Sequence, residues 1–188
     1  MSLLVFAGAL AVLAALAAIP PGVRAEDGWK QISSLHADIM FHDQSHLAAF
    51  ERKLQFNPTL FGLSSRFDIA ASDDTETKAS KKVDALFERV QDLLDMRRNM
   101  DKVIIRIHKD SVEIQSAFKQ FNPRSDHPVP RSWYTYEQRT VFVNLQDIRE
   151  GILAHEMAHH VIDHYLQVRP AAGSAEMLAI FAEKHLFD

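Results

Sequence analysis

The stretch His155-Glu156-Met157-Ala158-His159-His160-Val161-Ile162-Asp163-His164 carries four histidines, with a glutamate directly after the first. In a helix, residues four apart project from nearly the same side, so His155 and His159 can grip one cation between them. Imidazole nitrogen suits Zn²⁺, which binds it at about 2.0–2.1 Å. Glu156 is turned roughly 100° from His155, too far around the helix to ligate easily. That offset lets its carboxylate reach a water beside the metal, as a general base must.

A hydrolytic zinc site needs a third protein ligand and one open position. His160 and His164 are rotated away from the direction shared by His155 and His159, and read as solvated or supporting imidazoles. Glu176 follows His159 by 17 residues with a turn between, so a last helix could double back and present its carboxylate. Glu183, two turns further on, is the alternative. Ile148, Ile152 and Leu153 are apolar and Ala154 and Ala158 are small, which points the histidine face into the protein. Unpaired polar groups there would be costly, and a metal ion would satisfy them.

Several elements must position these residues. Residues 34–42 read as a strand, and Ser45 as the cap of a short helix with Leu47, Phe50 and Leu54 at helical spacing. Gln55 to Thr77 reads as a long loop, a candidate gate. The spacing of Val83, Leu86, Phe87, Val90, Leu93 and Leu94 predicts an amphipathic helix from about Glu76 to Met96. Val103, Ile105 and Ile107 alternate as in a strand, and a helix follows near Ser111 to Phe121. SWYTYEQ and TVFVNL read as a β-hairpin with a turn at Gln138-Arg139. Asp147 is placed to cap the motif helix, and Ser174 to start the last one. Helices combined with a small antiparallel or mixed sheet give one α+β domain.

His155-Glu156-x-x-His159 followed by Glu176 on the next helix resembles the gluzincin branch of the zincin metallopeptidases. The resemblance covers mainly residues 132 to 187. It implies a zincin-like fold, His155, His159 and Glu176 as zinc ligands, and Glu156 as base and proton shuttle. The metzincin pattern would need Gly at 162 and His at 165, where this chain has Ile162 and Tyr165. Many gluzincins place an orienting Asp four residues after the ligand glutamate; here that position is Ile180, and Asp163 could orient a ligand histidine instead. The resemblance also implies an edge strand that binds an extended peptide, TVFVNL or WYTYE. It implies an oxyanion donor too, for which Tyr165, Tyr134, Tyr136 and Arg169 are candidates.

Residues 3–19 are apolar or small, Pro20-Pro21-Gly22 breaks any helix, and Val23-Arg24-Ala25 fits a signal-peptidase site. A signal peptide over 1–25 and a mature domain over 26–188 follow, with a retained membrane anchor as the alternative. Net charge is −4, and −5 once Arg24 is removed, so nothing favours a nucleic-acid partner. The chain has no cysteine, which excludes disulfides, thiolate metal sites and cysteine nucleophiles. A disulfide-free exported protein fits a bacterial periplasm. The expected function is a zinc peptidase acting on peptide or protein substrates. The rival is a non-catalytic metal- or peptide-binding protein, with His160, His164 and His36 or His42 adding weak sites.

Overall fold

A computed structural model describes residues 28–125 and 128–188; the expected leader lies outside them. In chain order they form β1 (Lys30–Ser33), β2 (Ala37–Phe41), α1 (Gln44–Lys53), two 3₁₀ turns (Pro58–Phe61 and Ser65–Phe67), α2 (Thr75–Leu93) and β3 (Val103–His108). There follow α3 (Ser111–Phe121), β4 (Ser132–Thr135), β5 (Thr140–Asn144), α4 (Glu150–Tyr165) and α5 (Ala172–Lys184). The architecture is α+β, as the sequence pattern implies. Among the described residues no helix is long and apolar enough to cross a membrane.

The five strands lie in the order β1-β2-β3-β5-β4. The two outer pairs are antiparallel hairpins, whereas β2–β3 and β3–β5 are parallel. The sheet is therefore mixed, because helical crossovers and not tight turns link its central strands. Alternation sorts the two faces. Ile39, Ile105, Ile107, Val141 and Val143 join Leu86, Val90, Leu153 and Met157 in one core. The opposite face carries Arg106, His108, Phe142 and Trp133, and α3 covers it, with Phe118 edge-on to Trp133 and Phe121 against Phe142. Burying a side chain such as Leu153 or Met157 contributes about 1.5–3 kcal/mol, so α4 is anchored by its apolar face and not by its histidines.

Several boundaries differ from the sequence pattern for identifiable reasons. A four-residue strand, β1, precedes the expected one, and Ser34 to His36 form a turn tied to the Asp84 carboxylate. Asp43, not Ser45, caps α1, its carboxylate accepting from the Ser45 N–H at 2.8 Å. The expected long loop contains the two 3₁₀ turns, which put Pro58 and Phe67 into buried positions. Asp147 does not cap α4: its carboxylate accepts from Asn144, and the N-cap is Arg149, without a side-chain bond. Ser174 lies inside α5, which begins at Ala172.

Candidate metal centre

The motif histidines occupy the middle of α4, on a flank that faces α5 and is half-buried, not fully inward as the apolar pattern implied. Leu153, Ala154, Met157, Ala158, Val161 and Ile162 take the core side. α5 runs back along this flank. Small residues on its inner side, Ala175, Ala179 and Ala182, are buried and allow the close approach. Glu176 thereby comes over the two imidazoles. One carboxylate oxygen is 3.6 Å from His155 Nε2 and the other is 3.5 Å from His159 Nε2. Ligand atoms from His155, His159 and Glu176 all lie within 4.8 Å of one another, a grouping that could hold a metal ion.

The protonation states suit that use. Burial lowers the His159 pKa, and the neighbouring His155 lowers it further, which favours the neutral imidazole a metal requires. His155 Nδ1 lies 3.1 Å from Glu183 Oε2. A proton on Nδ1 donates to that carboxylate and leaves the Nε2 lone pair toward Glu176. Glu183 thus stands behind the histidine, on the side away from the cluster. Gly151 lies beside it: a Cβ there would meet Glu183 Cγ at 3.4 Å, a van der Waals contact.

Glu156 is not part of the cluster. It is buried, and its Oε1 accepts a 2.7 Å hydrogen bond from the Ser132 hydroxyl at the start of β4. Burial raises its pKa, and the Ser132 bond partly opposes that rise. Glu156, His155 and Ser132 line a cleft of about 660 Å³ that also reaches Arg131, Arg149 and Glu183. The arrangement juxtaposes a possible cation site, an adjacent proton-accepting carboxylate and an open cleft.

No family model, curated protein or solved structure matches this chain.

The remaining candidates lie elsewhere along α4. His160 is fully buried; its Nε2 meets the Asp101 carbonyl at 3.1 Å and its Nδ1 the Tyr134 hydroxyl at 3.3 Å. His164 Nε2 meets the same hydroxyl at 2.9 Å. One consistent assignment runs His164 N–H to Tyr134 oxygen, Tyr134 O–H to His160 Nδ1, and His160 N–H to the carbonyl. Burial pushes His160 down to about 3 and raises the Tyr134 phenol, so both stay neutral. Asp163 is bonded to the Arg169 guanidinium at 2.9 and 3.1 Å, which commits the carboxylate expected to orient a ligand histidine. Arg169 also lies 4.2 Å over the Tyr136 ring, which stacks on His164. Tyr165 closes α4, and none of Tyr134, Tyr136, Tyr165 or Arg169 lines the cleft. His36 pairs with Glu88, and His42 packs on Trp29.

Ser132 and Arg131 were not recognisable from the sequence as parts of this site. A serine at the start of a strand carries no functional signal until the strand is seen to dock over Glu156.

Proposed function

We propose that this protein is a zinc-dependent peptidase of gluzincin type, exported after removal of its leader and acting on peptide or protein substrates in a periplasmic compartment. His155, His159 and Glu176 would hold the ion. Two imidazoles and a carboxylate with one position left open match the donor set of hydrolytic zinc sites. When bound, the ion supplies a Lewis acid that acidifies water and polarises a carbonyl oxygen.

The observation that carries the reading is the placement of Glu156. A structural or storage site gains nothing from a buried carboxylate beside the cluster, held in one rotamer by Ser132 and opening on a cleft. Glu156 takes a proton from the attacking water as oxygen bonds to the peptide carbonyl carbon. It returns that proton to the amine nitrogen as the C–N bond breaks. A carboxyl whose pKa is raised by burial is suited to both halves of that transfer near neutral pH.

β4 is an edge strand, so its outer side is available to pair with an extended peptide, and its first residue is the one that touches Glu156. A substrate lying along β4 would pass the cluster. Glu183 holds His155 in the tautomer that presents Nε2.

The test is metal analysis joined to hydrolysis of a broad peptide library. We expect about one zinc per chain, loss of zinc in His155→Ala and His159→Ala, and hydrolysis that chelation abolishes and zinc restores. Hydrolysis that persists after complete metal removal would refute the reading. So would a purified chain that binds no zinc.

A further inference from the structure

The cleft beside His155 and Glu156 has two arginines in its wall, Arg131 and Arg149. Both side chains are exposed, and neither guanidinium has a hydrogen bond or ion pair among the described residues. Arg169, by contrast, is bonded to Asp163, and Arg89 to main-chain carbonyls at the end of α5.

The backbone at both positions is fixed. The Arg131 carbonyl accepts from the Asn144 N–H at 3.2 Å, immediately before edge strand β4. Arg149 is the N-cap of α4, and its carbonyl accepts from the Leu153 N–H at 3.0 Å. Gly151, in the same wall, adds no side chain to fill the space. Acidic residues line this wall too, but Glu183 is engaged by His155 and Glu156 by Ser132. Glu150 alone remains without a side-chain partner among them.

We infer that Arg131 and Arg149 form a carboxylate-recognition subsite beside the reacting centre, so that the substrates are peptides carrying a carboxylate close to the cleaved bond. This rests on the peptidase reading above. Guanidinium presents a planar fork that matches the two oxygens of a carboxylate. Two sources carry the same chemistry: the C-terminal carboxylate of a short peptide and an acidic side chain near the cleaved bond.

The experiment uses matched peptide pairs in one library. One arm compares free C-terminal carboxylates with amides in peptides without acidic side chains. The other compares Glu with Gln at each position in amidated peptides. Cleavage is followed with wild type and with Arg131→Gln/Arg149→Gln, and binding with zinc-loaded Glu156→Gln, with and without the two arginine changes. Charge-assisted pairing predicts a preference of about tenfold or more in kcat/KM for carboxylate peptides in one arm, reduced to within about threefold in the arginine variant. Melting temperature and zinc content of that variant should match wild type. Cleavage without carboxylate preference, or a preference that survives the arginine changes, overturns the subsite and leaves the peptidase reading intact. Arginine-dependent binding of carboxylate peptides without any cleavage keeps the subsite and overturns the peptidase reading. Neither binding nor cleavage overturns both.

Discussion

Glu183 Oε2 stands 3.1 Å from His155 Nδ1, on the far side of the imidazole from the nitrogen that faces Glu176. The two glutamates of α5 therefore do different things for one histidine. Glu176 brings its carboxylate to 3.6 Å from His155 Nε2 and 3.5 Å from His159 Nε2, whereas the Glu183 carboxylate is placed to accept a proton carried on His155 Nδ1.

This division predicts unequal losses. Glu183→Gln should weaken zinc binding by about 10–100-fold, the usual effect of removing a carboxylate behind a ligand histidine. Glu176→Ala should cost more and leave a two-histidine site. Competition against a calibrated chelator measures both. A larger loss at Glu183 than at Glu176 would mean the two glutamates exchange places on metal binding.

Ser132→Ala should alter the pH profile of hydrolysis. The Ser132 hydroxyl bonds to the carboxylate and opposes the rise that burial imposes on Glu156. Removing it raises that pKa, and the base must be deprotonated to accept a proton from water. The acidic limb of kcat/KM should therefore move to higher pH. An unchanged limb would show that another group controls it.

Tyr134→Phe should remove the link between His160 and His164 while leaving the ring packed. Losing the shared hydroxyl should cost about 1–2 kcal/mol of stability, since His160 is buried and loses a partner. Zinc content should not change, because Tyr134 lies outside the cluster. A large fall in kcat with unaltered melting temperature would instead assign the phenol to the reaction.

His108 should make the fold acid-sensitive. It is buried on the α3 side of the sheet, its Nε2 has no hydrogen-bond partner among the described residues, and burial pushes its pKa down to about 4. A depressed histidine means that the unfolded chain binds the proton more readily. Stability is therefore lost as pH falls through the ordinary histidine value near 6.5 and levels off below about 4. The contribution is of the order of 3 kcal/mol across that window. Urea titrations of wild type and His108→Leu at several pH values should show a smaller loss in the variant. Parallel curves would exclude His108 as the cause.

Features that depend on local spacing were legible in the sequence. His155 and His159 share a helix face because they are four apart, and Glu176 follows after a turn long enough to reverse the chain. The period-two run at Val103 to Ile107 and the β4–β5 hairpin were legible for the same reason. What was not legible depends on how distant segments dock. The parallel pairing of β2, β3 and β5 leaves no turn signal, and β1 is short and mostly exposed. Ser132 and Glu156 are 24 residues apart and meet because an edge strand lies over α4. Glu183 was the alternative ligand by spacing, and the rotation of α5 places it behind His155 instead. Asp163 read as an orienting group, but Arg169 claims it.

The central claim is that Glu156 does chemistry and does not bind metal, and Glu156→Gln tests it most directly. The change keeps the side chain's size and removes the proton-accepting carboxylate. Zinc content and melting temperature should stay near wild type, while hydrolysis of the peptide library should fall by at least about 10²–10⁴-fold. Equal turnover by the two proteins, with contaminating peptidases excluded, would contradict the account.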